Sequence, residues 1–308
     1  SFVGQHICVP KQGVAIHINA FNFPVWGMLE KLAPTLLAGV PAIVKPATAS
    51  CYVTEAAVRM MLDSGLLPDG AVQLICGGTG DLLDRVSGQD VVSFTGSAAT
   101  ALALRSTPAI LSGSVPFIAE QDSLNASILG PDALPGTLEF DLFIKEAARE
   151  ITAKAGQKCT AIRRMIVPDP QPVIEALSER LSHIVIGDPQ REDVTMGALI
   201  SKEQRRDVSE KAGIIASEAE LVYDGALDVL GADADKGAFV SPKLFLCSDP
   251  DRAQQVHATE AFGPVSTIMP YRDIDHAVAL ANRGGGSLVA SVFTHNGDVA
   301  RQIAMGSA

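Results

Sequence analysis

The chain has 308 residues, 47% of them hydrophobic, which is enough for one large or two medium domains with their own cores. Lys and Arg number 24 against 35 Asp and Glu, a formal charge of -11, which argues against a nucleic-acid or anionic-membrane surface but leaves room for a local basic pocket. Five cysteines without a CxxC pair, and no HExxH run, argue against a disulfide framework or a bound metal and for a reducing cytoplasm; no apolar run reaches the roughly 18 residues of a membrane span, and no signal-peptide pattern is visible.

Ser1 to Pro10 reads as a short extended arm. Gly13 to Asn19 alternates and is β-branched, which predicts a strand. Val25 to Leu37 follows as a helix with Pro24 at its start, and Pro41 to Lys45 as a second strand. Cys51 to Ser64 is a helix stopped by Gly65, and Val72 to Cys76 a strand that runs into Gly77-Gly78-Thr79-Gly80 and a short helix through Leu83. Val91 to Phe94 is a strand opening into Thr95-Gly96-Ser97 and an Ala-rich helix to Leu104. Apolar strands alternating with helices over short connections predict a parallel, doubly wound α/β sheet.

Pro131, Pro135 and Gly136 break the pattern, and a second α/β unit begins, with the boundary expected near Gln121. Its helices are expected at 139–151, 171–183, 202–216, 251–256 and 274–283, and its strands at 163–167, 221–223, 244–246, 265–269 and 288–293. Gly156-Gln157-Lys158-Cys159 lies between the first of these helices and the first strand. A side chain on such a turn can reach a cleft.

Cys159 can serve as a thiolate nucleophile toward a carbonyl carbon; the plainer alternative is a small buried hydrophobe. Asn22, pinned by Phe23 and Pro24 just past a strand end, can donate its amide to an oxyanion, or it is an ordinary turn residue. Glu120 ends an apolar strand, where desolvation favours general-base use near neutral pH; otherwise it reaches solvent. Lys45 stands at the carboxyl end of a parallel strand, the ligand edge of such sheets, or snorkels to water. Phe94-Thr95-Gly96-Ser97 is a strand, Gly turn and helix start whose N–H groups can face a polar ligand. There is no GxGxxG.

Taken together, Asn22-Phe23-Pro24, Lys45-Pro46, Phe94 to Ser97, Glu120, Gly156 to Cys159 and Glu260-Ala261-Phe262-Gly263-Pro264-Val265 stand in the order that resembles the aldehyde dehydrogenases, over nearly the whole chain. Glu120 to Asn125, Ala155 to Arg164, Met196 to Leu199 and His257 to Gly263 resemble the PaaZ-type branch and its BoxD-type relatives, which oxidise CoA-linked semialdehydes in phenylacetate or benzoate breakdown. The resemblance implies a Rossmann-type cofactor domain over 11–121, a catalytic domain over 122–308, and an oligomerisation arm over 1–10. It implies that Cys159 attacks the aldehyde, that Asn22 and the Cys159 N–H hold the oxyanion, and that Glu120 activates the hydrolytic water. Lys45 would bind the adenosine ribose or its phosphate, Thr95, Gly96 and Ser97 the nicotinamide half, and Glu260 with Phe262 the nicotinamide ribose. The expected partners are a small aldehyde, a CoA thioester of it, and further copies of the full-length chain.

Where many members preferring NAD carry Glu, this chain has Thr48; a carboxylate there would repel a 2′-phosphate and a Thr does not, so NADP is expected, with NAD also possible. Phe21 replaces the usual Trp, and Gln121-Asp122-Ser123 the usual Leu-Gly-Gly. The chain is far shorter than the family's usual length, so the resemblance implies part of a longer protein, without its first helices, the closing catalytic segment and the C-terminal strand. Three other readings stay open: a CoA-acylating aldehyde dehydrogenase, a cysteine hydrolase using His183 or His257, and an inactive nucleotide-binding fragment.

Overall fold

The computed structural model describes residues 3–307. Of the expected N-terminal arm, Ser1 and Phe2 lie outside the described residues, and Val3 to Pro10 forms neither helix nor strand. The chain divides into two compact units, one ending at Asp122 and the other beginning at Ser123.

The first unit is a five-stranded, all-parallel sheet. In chain order its elements are β1 (Ala15–Ile18), α1 (Trp26–Leu37), β2 (Ala42–Lys45), α2 (Cys51–Asp63), β3 (Val72–Leu74), β4 (Val91–Thr95), α3 (Ala98–Arg105), α4 (Pro108–Ser112) and β5 (Phe117–Glu120). The strand order is β3-β2-β1-β4-β5, so the winding reverses between β1 and β4. Strand alternation sends side chains to two cores. Met28 and Leu32 of α1 and Val58 of α2 pack with Ala42, Val44 and Val72. Ala101 of α3 and Ile110 of α4 pack with Ile16, Ile18, Val92 and Phe94. The third strand is shorter than expected, ending at Leu74, and α4 was not foreseen from the sequence; Pro108 at its first turn starts it.

The second unit holds β6 (Ala126–Leu129), α5 (Leu138–Thr152), β7 (Arg164–Val167), α6 (Pro170–Ser182), β8 (Ile186–Gly187), α7 (Lys202–Ile215), β9 (Glu220–Asp224), β10 (Val229–Leu230), β11 (Lys243–Leu246), β12 (Val265–Pro270), α8 (Ile274–Asn282), β13 (Ala290–Phe293) and α9 (Gly297–Gly306). Six strands form one sheet in the order β13-β6-β7-β12-β11-β9, parallel except for β9 at the edge; β8 and β10 form a separate parallel pair. Met165 and Val167 of β7 pack on Phe143, Ala147 and Leu177 from α5 and α6. Ile166 between them packs on the other face with Val208, Ala277 and Ile303 from α7, α8 and α9. A strand buried on both faces carries no alternation, which is why Ala126–Leu129 escaped a periodicity reading. The expected helix at 251–256 is instead a turn and a short 3-10 helix at Gln255–His257.

The helix that leads to Cys159 is well specified. Thr137 caps α5 by accepting from the Phe140 N–H, Glu139 and Asp141 complement its positive end, and Phe140, Phe143, Ile144, Ala147, Ala148 and Ile151 form its buried stripe. Arg164 opens β7 with a side chain that is 0% exposed. It donates to the carbonyls of Leu124 (2.9 Å), Leu280 (2.7 Å) and Ala281 (2.8 Å), the last two at the C-terminal end of α8, where a cation complements the helix dipole.

Two buried histidines make the fold acid-sensitive. Arg164 Nη1 lies 3.1 Å from His257 Nδ1 and can only donate, so Nδ1 accepts and Nε2–H donates to the Pro250 carbonyl at 3.0 Å. In the first unit, His17 Nε2 faces Thr35 Oγ1 at 3.1 Å. Burial lowers both imidazoles to about 4, helped by Lys31 at His17 and by Arg164 and Arg283 at His257. Above pH 6.5 both states hold these rings neutral. Between 6.5 and about 4 only the unfolded chain takes up the protons, so stability falls with acidification through that window, by roughly 2–3 kcal/mol per histidine. Denaturant midpoints measured from pH 7 down to pH 4.5 should drop steadily, and His257→Asn should flatten the slope.

Among the described residues, no helix is long and apolar enough to cross a membrane, and no group of three or more His, Cys, Asp or Glu side chains could hold a metal ion.

Candidate active site

In the first unit the expected ligand residues gather along one sheet edge. Lys45 closes β2, Thr95 closes β4 and Glu120 closes β5; Lys45 and Phe94 both pair with Ile18, and Thr95 pairs with Glu120. All stand at strand carboxyl ends, beside the point where the winding reverses, the place where open α/β sheets take ligands. Asn22 lies on the bend between β1 and α1, half-buried. Glu120 is half-buried too, so the enclosure expected from its apolar strand is only partial. Gly96 N–H donates to the Glu120 carbonyl at 3.1 Å. A Cβ on Gly96 would come within 2.6 Å of the Phe94 ring, so the turn requires Gly there. Ser97 is the N-cap of α3, its hydroxyl accepting from Thr100 N–H and donating to Thr100 Oγ1 at 2.9 Å. Thr48 is exposed at the start of the turn leading into α2.

The same edge holds buried polar atoms without a hydrogen-bond partner among the described residues. They are both amide atoms of Asn19, the hydroxyl of Ser50 and that of Thr95. Asn19, 3% exposed, is one residue beyond Ile18 and therefore stands beside Thr95 on the neighbouring strand. Orphaned polar atoms of this kind are rare in folded proteins and call for water or a ligand. An amide, two hydroxyls, a lysine and a helix start make a donor set suited to the ribose and phosphate groups of a dinucleotide. The sequence reading passed over Asn19 and Ser50; polar residues at the carboxyl end of β1 and just after Lys45-Pro46 were the available signal.

In the second unit, Cys159 sits half-buried on the turn between α5 and β7. The turn begins with three consecutive residues in the left-handed region, Lys154 (φ 52°), Ala155 (φ 51°) and Gly156 (φ 71°). For Lys and Ala this conformation costs about 1–2 kcal/mol each, so the surroundings must hold it. They do so at each residue from Gly156 to Cys159. Arg163 Nη2 donates to the Gly156 carbonyl (2.8 Å). Gln157, 4% exposed, accepts from the Ile200 N–H (2.9 Å). Lys158 Nζ lies 2.7 Å from both oxygens of Glu150 on α5. The carbonyl of Cys159 accepts from Ser123 Oγ (2.6 Å) and Asn125 Nδ2 (2.8 Å).

Asn125 is 0% exposed and serves both sides of the turn. Its amide nitrogen also reaches the Ala161 carbonyl (2.9 Å), and its Oδ1 accepts from the N–H groups of Leu288 and Val289. Ser123 N–H donates to Glu260 Oε2 (3.0 Å), and Arg163 Nε to Glu260 Oε1 (3.1 Å). Arg163 Nη1 donates to the Gly263 carbonyl (2.8 Å), and its Cζ lies 5.4 Å from the centre of the Phe262 ring. Burial pulls Arg163 below the usual guanidinium range, opposed by the charge of Glu260. Cys159 and Glu260 thus share one hydrogen-bonded assembly, with Phe262 against its arginine, anchored by Ser123, Asn125 and Arg163; all three lie in segments quoted for the resemblance, but none was given a role from the sequence.

The model of the aldehyde dehydrogenase family matches residues 5–307. A 3,4-dehydroadipyl-CoA semialdehyde dehydrogenase from Aromatoleum evansii is 49% identical over 303 residues, covering 97% of this chain and 58% of that protein. Among solved structures, a betaine aldehyde dehydrogenase from Staphylococcus aureus in complex with NAD+ superposes with a TM-score of 0.84 at 26% identity, covering 96% of this chain and 57% of that one. A succinic semialdehyde dehydrogenase from Streptococcus pyogenes in complex with NADP+ shares the fold, with a TM-score of 0.85 at 23% identity over 97% of this chain and 63% of that one. The chain therefore spans about three fifths of the length of the relatives that it matches.

Proposed function

The chain belongs to the aldehyde dehydrogenase family, and from that premise we propose that it oxidises an aldehyde borne on a CoA thioester to the carboxylic acid, with NADP as oxidant and NAD as a second choice. The observation that carries this reading is the Cys159 turn, strained into the left-handed region and tied down through its neighbours and its own carbonyl. A nucleophile gains from such fixing because no reorganisation is needed at attack. The CoA-linked substrate follows the Aromatoleum relative, which matches over 97% of this chain.

The overall balance is aldehyde, oxidised cofactor and water giving acid, reduced cofactor and a proton. The Cys159 thiolate adds to the aldehyde carbon, and the new oxyanion is held by Asn22 and the Cys159 N–H. Loss of hydride converts the thiohemiacetal to a thioester. Glu120 takes a proton from water as it attacks that thioester, freeing the acid and the thiol. When bound, the nicotinamide supplies the hydride acceptor. Lys45, Thr95, Gly96, Ser97, Glu260 and Phe262 are the residues that would hold the cofactor. The exposed Thr48 leaves a 2′-phosphate unopposed.

The test is to mix the chain with a CoA-linked semialdehyde and NADP, follow reduced nicotinamide, and identify the product. Free acid supports the reading; a new CoA thioester in its place would show acyl transfer to CoA, and ester cleavage without cofactor would show a hydrolase. Asn19 offers a sharper check. Asn19→Leu removes two orphaned polar atoms and should raise stability by about 1 kcal/mol, while weakening NADP binding about tenfold. A more stable protein with unaltered affinity would remove Asn19 from the cofactor edge.

A further inference from the structure

Resting on the reading that Cys159 and Glu260 belong to one dehydrogenase site, we propose that Arg163 is a positioning residue that locks the nucleophile turn to the Glu260–Phe262 loop, so that cofactor binding on one is felt by the other. Its side chain is 3% exposed and reaches both segments. On the nucleophile turn it donates to the carbonyls of Gly156 (2.8 Å) and Lys158 (3.4 Å), on either side of Gln157 and immediately before Cys159. On the other loop it pairs with Glu260 (3.1 Å), donates to the Gly263 carbonyl (2.8 Å) and lies under the Phe262 ring. The two loops are otherwise about a hundred residues apart in the chain, as the separation of Arg163 and Glu260, 97 residues, shows.

A buried guanidinium is expensive to desolvate, and an apolar side chain of similar size would fill the same volume without that penalty. What the arginine adds is direction and charge. Its planar fork fixes the carbonyls of both segments at once, and its charge faces the buried Glu260 carboxylate at 3.1 Å. Two loops bridged by one rigid group shift together. A ligand that fixes Glu260 therefore alters the freedom of the Cys159 turn, and by linkage the reverse holds.

The test compares the wild-type chain with Arg163→Met and with the double variant Arg163→Met, Glu260→Gln. Three quantities are read: the melting temperature, the Kd for NADP, and the rate of Cys159 alkylation by iodoacetamide with and without NADP, followed by peptide mass spectrometry. In the wild type, NADP should change the alkylation rate several-fold. In Arg163→Met that ratio should fall toward one and the Kd for NADP rise about tenfold. The double variant also removes the buried carboxylate charge that has lost its arginine, so it should regain thermal stability without regaining either the ratio or the affinity. Because Glu260 is itself placed on the cofactor, the double variant is read against Glu260→Gln alone, measured alongside; a purely structural arginine would leave those two with the same ratio and affinity, and that result overturns the proposal. So does a folded Arg163→Met that keeps the wild-type ratio and Kd, or a wild type that binds NADP with no change at Cys159. A wild-type chain that binds no NADP at all sinks the reading of the site itself, and is told apart by the direct binding measurement.

Discussion

Cys159→Ala should lower aldehyde-dependent reduction of NADP by at least about 10³-fold and leave the nucleotide affinity within about a factor of two. The size of the loss follows from the proposed chemistry. Without the sulfur there is no thiohemiacetal, so the aldehyde carbon keeps its hydrogen in a form from which hydride does not leave. The selectivity of the loss follows from the structure. The turn is held through backbone carbonyls and through the side chains of Gln157 and Lys158, and the Cys159 contacts with Ser123 and Asn125 run through its carbonyl, which alanine retains. The variant should therefore melt near the wild type. Turnover near the wild-type rate in the purified variant would take Cys159 out of the mechanism, whatever its surroundings.

Gly156→Ala should be the most damaging single methyl group in the second unit. Gly156 adopts φ +71°, where an alanine is strained by about 1–2 kcal/mol. A Cβ there would also lie 2.1 Å from the carbonyl oxygen of Gly263 and 2.6 Å from Pro264 N, both backbone atoms, so no rotamer change relieves the clash. The nucleophile turn must move away from the segment that follows Glu260 and Phe262. We expect a loss of about 3 kcal/mol or more in stability and, because a displacement near 1 Å of a positioned group costs about 10²-fold, a fall of that order in turnover. Denaturant unfolding and kcat measured on the same preparation check both. An alanine variant with wild-type stability would mean that the close approach of these two backbones is not what holds the turn.

The residues that carry chemistry could be named early because short segments have local signatures. Phe94 to Ser97 reads as strand, turn and helix cap within four residues, and Lys45-Pro46 as the end of a strand; the structure has β4 ending at Thr95, Ser97 capping α3 and β2 ending at Lys45. The stripe of α5, from Phe140 to Ile151, is legible for the same reason, since its period of three and four is local. Asp251 to Val256 shows the limit of such patterns: apolar and polar residues alternate helically there, yet Arg283 takes the carbonyls of Pro250, Asp251 and Ala253 from outside, and the segment stays a turn.

What the amino-acid order determined by itself is the two α/β units, the doubly wound sheet of the first, and a cysteine on a turn between helix and strand. Only the tertiary structure decided what holds that cysteine. The left-handed run at Lys154 and Ala155 contradicts the preference of both residues, and the turn it opens is fixed just downstream, where Arg163 reaches Gly156, Glu150 reaches Lys158, and Asn125 and Ser123 reach Cys159. Ser123 meets Glu260 across 137 residues and Asn125 meets Val289 across 164. Hydrogen bonds at such separations obey no periodicity along the chain. They depend on the packing of strands β6, β7 and β12 into neighbouring positions, and a side chain's partner is settled only once those strands are side by side.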